Sequence, residues 1–178
     1  MSYCAYIADN TSETTDFLLN KEYHDNHYGF PIEDDNELFG RFLLEINRAG
    51  LSWTLMLRKQ EGFRTAYDGF DIEKIANYTE TDRERLLQDA GIVRNKLKVN
   101  AAIYNAKQIL ELKKEYGSFK GWIDAHHPRP KEDWVKLFKK NFKFTGGEIV
   151  NELLMSTGYL PGAHTEVCPI YKKLPQGF

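Results

Sequence analysis

Apolar residues recur with helical spacing along almost the whole of this 178-residue chain, and this periodicity most limits the folds available to it. The clearest case is the segment 96–116, where Val99, Ile103, Ala106 and Leu110 fall on one face of a long helix. We find no run that alternates polar and apolar residues for long enough to build a sheet. The sequence therefore predicts an all-α fold.

Cap residues divide the rest of the chain into shorter helices. We predict an extended arm over residues 1–11 and a loop over 21–33. The predicted helices are 13–19, 34–49, 53 to about 60, 63–67, a short one after 71, 79–89, 96–116, 118 to about 125, 132–141 and 147–157.

Two of these helices meet at a tight junction, where a carboxylate and an indole come close together. Gly50 suits the left-handed position after a helix, and Ser52 suits the N-cap of the next one. Glu45 lies at the edge of the apolar face of the first helix, and Trp53 starts the second. From periodicity alone we favour a plain interpretation, in which Glu45 reaches water and Trp53 fills the core.

A second helix pair spans residues 86–102 around a turn that contains Gly91. Glycine permits close backbone approach, and a helix N-terminus can bind a phosphate. Arg94, Lys96 and Lys98 supply positive charge beside the turn. The pattern indicates a helix-hairpin-helix DNA-binding element, although an ordinary antiparallel helix pair with a basic rim has the same pattern.

Three spaced motifs resemble those of the 3-methyladenine DNA glycosylase I family, in the same order. They are residues 23–31 (YHDNHYGFP), 49–53 (AGLSW) with Glu45 upstream, and 89–96 (DAGIVRNK). The resemblance extends from Cys4 to Cys168, nearly the whole chain. It implies one helix-hairpin-helix glycosylase domain over residues 1–178, which excises alkylated, cationic purines from double-stranded DNA as a monomer.

The resemblance also implies a base pocket, with Glu45 as its catalytic residue. Its predicted members are Tyr23, Tyr28, Glu45 and Trp53. Aromatic faces would hold a base that has left the stack, and a carboxylate would accept a hydrogen bond from its exocyclic amine. The chain departs from the family at Tyr6 and Tyr28, where tryptophan is usual, and at His27, where glutamate is usual.

A structural zinc site that joins the two termini is the third implication. The chain has two cysteines, Cys4 and Cys168, and the corresponding family ligands include His24 and His164. Two thiolates and two imidazoles form a closed tetrahedral set that zinc prefers. Without the resemblance, two unrelated free cysteines and surface histidines are the better interpretation.

Charge and segment composition limit the remaining classes. The 24 basic and 26 acidic residues give a formal net charge of −2, so any DNA site is a local patch. We see neither a signal peptide nor a membrane span, and we predict a cytoplasmic protein with no membrane partner and no disulfide framework.

The sequence leaves two alternatives to a hydrolase. One is a helix-hairpin-helix module that binds DNA or a damaged base without cleaving it, and the weaker one is a zinc-stapled interaction domain. Many related glycosylases have a catalytic aspartate after the hairpin. Here Asp124 lies too far past Lys96, and we assign it to a short surface helix. We therefore expect the positive charge of the alkylated base to supply much of the driving force.

Overall fold

The computed structural model describes residues 2–175, and their regular structure is helical. The α-helices are α1 (Tyr3–Ala8), α2 (Thr15–Asn26), α3 (Asp35–Arg48), α4 (Trp53–Ala66), α5 (Ile72–Ala76), α6 (Glu80–Gln88), α7 (Lys96–Tyr116), α8 (Phe119–His126), α9 (Lys131–Asn141) and α10 (Gly147–Ser156). Two 3-10 segments cover Asp68–Phe70 and Tyr171–Lys173. No strand occurs in residues 2–175, which confirms the predicted all-α class. None of these helices is long and apolar enough to cross a membrane.

Helix α3 runs through the centre of the core. The side chain of Asp34 caps it by accepting a hydrogen bond from the amide of Glu37. Its inward residues are at most 2% exposed, and they are Leu38, Phe39, Phe42, Leu43 and Ile46. Each such side chain contributes roughly 1.5–3 kcal/mol of burial free energy, so α3 is a firm support for Glu45 near its C-terminal end.

Helices α8 and α10 pack against α3, α9 packs against α10, and the aromatic residues of this region form a layer of the core. Its members include Phe119, Trp122, Trp134, Phe138 and Phe142. Neighbouring rings in this layer meet mostly edge to face, as between Trp122 and Phe142, whose centroids are 5.4 Å apart at 89°. Phe42 of α3 packs against this layer, because its ring contacts those of Phe119, Phe138 and Phe142.

The first 26 residues differ from the sequence prediction. Residues 3–8 form helix α1, not an extended arm, and Ser2 caps it by accepting from the amide of Ala5. Helix α2 continues to Asn26, so the predicted loop over 21–33 begins only after it. The polar composition of 21–26 concealed a helix that is stabilised by burying Tyr23 and His24.

Helix α4 is also continuous, where the sequence predicted two helices, 53–60 and 63–67. Gly62 lies inside it, because a Cβ at this position would overlap the carbonyl oxygen of Gly91. The glycine therefore serves close packing of α4 against the turn between α6 and α7, and it does not end the helix.

Candidate active site

A cavity of about 470 Å³ opens beside the α3–α4 junction, and the four predicted pocket residues line it. These are Tyr23, Tyr28, Glu45 and Trp53. The junction forms as the sequence predicts, because Gly50 has a φ of 81° and Ser52 caps α4 through the amide of Leu55. Glu45 and Trp53 thus reach the same space from two helices.

We call this the base cavity, after the base pocket that the sequence predicts. Aromatic rings form one of its walls. The centroid of Tyr23 lies 5.0 Å from that of Trp53 and 5.7 Å from that of Tyr28. Tyr3 meets Tyr28 edge to face at 5.4 Å, and its hydroxyl donates to the carbonyl of Asn20 at 2.8 Å. Burial raises the pKa of Tyr23 and Tyr28 above the ordinary tyrosine value, so both hydroxyl groups stay protonated and uncharged. Such a wall can stack against a planar base and attract a cation.

Glu45 is the buried carboxylate of the cavity, with 3% of its surface exposed. The plain interpretation, in which it reaches water, is therefore wrong. Burial raises its pKa to about 7, against the opposing effects of Arg48 and Arg41. A carboxylate in this environment gains from any ligand that brings positive charge or a hydrogen-bond donor.

Arg48 stands between two carboxylates. Its Nη1 atom is 3.4 Å from Oε2 of Glu45 and 3.4 Å from Oε2 of Glu152, which lies on α10. All three side chains also line a second cavity, of about 420 Å³, that extends toward Gly50 and Leu51. The two acids and the guanidinium therefore separate the base cavity from the space under the α3–α4 turn.

The indole of Trp53 offers an unused hydrogen-bond donor. Its Nε1 atom is buried and has no acceptor among residues 2–175. A buried donor without a partner is costly, and the core residue Trp134 carries the same cost at its own indole nitrogen.

A second cluster lies behind this cavity and joins the two ends of the chain. Its members are Cys4, His24, His164 and Cys168, all buried, with their ligand atoms within 4.8 Å of one another. Nδ1 of His164 is 3.6 Å from the sulfur of Cys4 and 3.5 Å from that of Cys168. Both cysteines are free thiols. The described residues thus contain a set that could hold one metal ion.

The outer ring nitrogens of both histidines are already hydrogen-bonded. Nδ1 of His24 is 2.8 Å from the carboxylate of Asp25, and Nε2 of His164 is 2.7 Å from the carbonyl oxygen of Tyr28. This leaves Nε2 of His24 and Nδ1 of His164 directed at the thiols, which is the arrangement that metal-binding histidines adopt. The donor set and its surroundings fit zinc.

The predicted DNA-binding turn forms between α6 and α7, but two of its four residues have internal roles. Gly91 packs against Gly62 of α4 and donates its amide to the side chain of Asp89 at 2.7 Å. Lys98 is 5% exposed, and it donates at 2.8 Å to each of two carbonyl oxygens at the end of α3, those of Asn47 and Ala49. We therefore correct the prediction for Lys98, which cannot reach a phosphate from this position.

The other two predicted residues remain available to solvent. Arg94 and Lys96 are exposed beside the start of α7. The side chain of Asn95 caps this helix by accepting from the amides of Leu97 and Lys98. These two amides are consequently occupied, and the basic side chains are the groups left free to meet an anion.

Comparison with known proteins identifies the family of this chain. The methyladenine glycosylase family model matches residues 14–136. DNA-3-methyladenine glycosylase 1 of Escherichia coli strain K12 is 33% identical over 168 residues, which cover 84% of this chain and 89% of the relative. This chain belongs to the methyladenine glycosylase family.

Solved structures of 3-methyladenine DNA glycosylase I have the same fold. A structure of the Staphylococcus aureus protein, described as the basis of 3-methyladenine recognition, has a TM-score of 0.79 and 28% identity over 99% of this chain and 98% of that one. A variant of 3-methyladenine DNA glycosylase I in complex with 3-methyladenine has a TM-score of 0.81 and 28% identity over 99% of each chain.

Three charged or aromatic residues that line the cavity of this methyladenine glycosylase were not predicted from the sequence. They are Tyr3, Arg48 and Glu152. Arg48 follows Glu45 by three residues on a helix, which is the spacing of an ion pair, so a local signal existed. Glu152 has no local signal, because only the packing of α10 on α3 brings it to the site.

Three other residues considered in the sequence analysis lie outside the cavity lining. Tyr6 stacks on Tyr3 outside the cavity lining, and His27 is exposed beside Glu22. Asp124 lies on α8 outside the cavity lining, as predicted, and its carboxylate binds Lys120 at 2.9 Å. Within the described residues, Glu45 and Glu152 are the carboxylates that line the base cavity.

Proposed function

We propose that this chain is a DNA glycosylase that flips 3-methyladenine, and other alkylated, cationic purines, out of double-stranded DNA and hydrolyses the N-glycosidic bond. It acts as a monomer with one glycosylase domain. Family membership and the functions named for its relatives support this proposal. The observation that carries it is the buried carboxylate of Glu45 in a cavity walled by aromatic rings.

Base recognition follows from this arrangement. The flipped purine stacks within the wall formed by Tyr23, Tyr28 and Trp53. Glu45 accepts a hydrogen bond from the exocyclic amine and offsets the positive charge of the base. Tyr28 and Tyr3 keep the wall aromatic.

Catalysis requires little chemistry from the protein. Alkylation at N3 leaves the purine positively charged, so breaking the bond between C1′ of the sugar and N9 releases a neutral base. A water oxygen bonds to C1′ and loses its proton to solvent. Glu45 acts by holding the base in the orientation from which it departs, so that stabilisation of the transition state carries the rate.

DNA approaches through the turn between α6 and α7, which we assign as a helix-hairpin-helix element. Arg94 and Lys96 contact phosphates and position the duplex without reading its sequence. Lys98 holds the same helix against the end of α3. The DNA-binding helix is thereby connected to the helix that carries Glu45.

We further propose that Cys4, His24, His164 and Cys168 bind one structural zinc ion. The ion closes a tetrahedral site and staples α1 and α2 to the C-terminal segment. The site supports the base cavity directly, because Cys4 lines that cavity and His164 binds the carbonyl of Tyr28. Elemental analysis of protein purified without added metal should give one zinc per chain.

Release of free base from methylated DNA, separated by chromatography, tests the proposed activity. The wild-type protein should release 3-methyladenine, and Glu45→Gln should not do so at a comparable rate. Asn77→Ala serves as a control for the effect of a substitution away from the site. Asn77 lies outside the base cavity, and its side chain donates to the carbonyl oxygen of Glu73. Binding of damaged DNA without release would instead support the non-cleaving module.

A further inference from the structure

The shared guanidinium of Arg48 is a charge arrangement that the proposed function does not use. Two carboxylates, Glu45 and Glu152, compete for one cation, so the group of three carries a net charge of −1 when both acids are ionised. Paired buried groups usually have balanced charges, because an unbalanced one is costly. The imbalance is located on the wall of the base cavity.

The distances indicate that Arg48 is not committed to either acid. Both contacts are 3.4 Å and use the same Nη1 atom, whereas strong charge-assisted hydrogen bonds are about 2.7–2.9 Å. The side chain of Arg48 is 35% exposed and that of Glu152 is 23% exposed, against 3% for Glu45. Arg48 can therefore move fully onto Glu152 without entering a more buried environment.

Arg41 also acts on Glu45 electrostatically, but among the described residues it forms no ion pair with Glu45 or Glu152. Arg41 donates to the hydroxyl of Tyr23 at 3.0 Å and lies 3.5 Å from the carbonyl of Ser156. It lines a different cavity, which shares Tyr23 and Trp53 with the base cavity. Arg48 is thus the cation that a positively charged ligand must replace at Glu45.

We propose that Glu152 is a specificity-determining residue, which draws Arg48 away from Glu45 when a cationic base enters and so makes the pocket selective for positive charge. This inference rests on the proposed function for its natural ligand. Without Glu152, Arg48 pairs with Glu45 alone, the pocket becomes neutral, and an incoming cation must compete with a complete ion pair. A neutral base experiences little of this change.

Two small probes separate charge from shape. One is 3,9-dimethyladeninium, a purine with a fixed positive charge and a methyl group in place of the sugar, and the other is neutral 9-methyladenine. Calorimetry at pH 8, where Glu45 is ionised, gives the affinity for each. Glu152→Gln should reduce the preference for the cation about tenfold, and should change the affinity for the neutral probe less than about twofold.

Two further variants make the test decisive. Glu148→Gln removes an acid from the same helix, whose side chain is 88% exposed, and should leave the preference unchanged. Arg48→Gln combined with Glu152→Gln leaves Glu45 without a competing cation, and should restore most of the lost preference. Thermal melts confirm that each variant is folded.

An unchanged preference in Glu152→Gln would overturn the inference, and so would an equal loss for both probes or the absence of rescue in the double variant. These outcomes are distinct from failure of the proposed function. A protein that discriminates the probes but releases no base from methylated DNA would retain the charge mechanism and lose the hydrolase assignment. If the wild-type protein releases base and Glu152→Gln keeps full discrimination, the hydrolase assignment is retained and the charge mechanism is wrong.

Discussion

The base cavity and the segment after the turn between α6 and α7 each contain a buried charged side chain, and the two side chains differ in how closely their partners approach. In the cavity, Glu45 is almost inaccessible and shares Arg48 with a second acid at long distances. At the turn, Lys98 is equally buried, but its ammonium donates to two carbonyl oxygens at 2.8 Å. Lys98 is thus satisfied within the fold, whereas the longer contacts of Glu45 are consistent with its proposed role in binding a cationic base.

The difference has a physical origin. Burial lowers the pKa of Lys98 and raises that of Glu45, because it disfavours the charged form of each side chain. The carbonyl oxygens at the end of α3 carry the negative end of the helix dipole, which offsets the cost for Lys98. Glu45 has no comparable set of donors. Three sets of variants test this difference.

The largest effect should come from the metal cluster, which supports the cavity but not the turn. Cys168→Ser should abolish the proposed zinc binding and lower the free energy of unfolding by more than about 4 kcal/mol, because the proposed ion would join both ends of the chain. Urea unfolding with and without a chelator measures this. Wild-type protein that is metal-free, with a disulfide between Cys4 and Cys168, would contradict the assignment.

Two lysines on one helix provide the next test. Lys98→Met should lower the free energy of unfolding by about 3 kcal/mol, because two carbonyl groups lose a charged donor, and should leave the salt dependence of DNA binding unchanged. Lys96→Met should alter stability by less than about 0.5 kcal/mol and flatten the slope of log affinity against log salt by about one. If the two residues exchanged these effects, the structural distinction between them would be wrong.

A smaller effect concerns the pH dependence of stability. The folded pKa of Glu45, about 7, exceeds the ordinary value of 4.5, so its contribution is fully present below pH 4.5 and is lost as the pH rises through 7. Glu45→Gln cannot ionise, and it should be more stable than wild type at pH 8 by about 2 kcal/mol, with little difference at pH 5. Urea unfolding at both pH values measures this. If wild type and Glu45→Gln were equally stable at pH 8, ionisation of the buried Glu45 side chain would not destabilise the folded protein.

Local signals predicted much of the fold. Asp34, Ser52 and Asn95 cap helices where the sequence places their starts, because capping depends on adjacent residues. Residues 21–26 were misassigned, since burial of Tyr23 and His24 is a long-range effect. The all-α class and the long helix 96–116 were predicted from periodicity alone.

The site was less accessible to sequence analysis. Resemblance gave Tyr23, Glu45 and Trp53, which the structure brings to one cavity. Lys98 was assigned to DNA because its charge was considered without its neighbours, although it precedes the buried Val99. Glu152 reaches Arg48 only through the packing of two distant helices, so no local pattern could reveal the shared ion pair.

We propose that Glu45, acting on a cationic base, carries the activity. The most direct measurement is the initial rate of release of 3-methyladenine and of neutral hypoxanthine from duplex DNA by wild type, Glu45→Gln and Asp124→Asn. We predict that Glu45→Gln lowers 3-methyladenine release about 100-fold while binding to undamaged DNA is unchanged, that Asp124→Asn keeps the wild-type rate, and that hypoxanthine is released poorly by all three. Efficient hypoxanthine release that is abolished by Asp124→Asn and unaffected by Glu45→Gln would contradict this account.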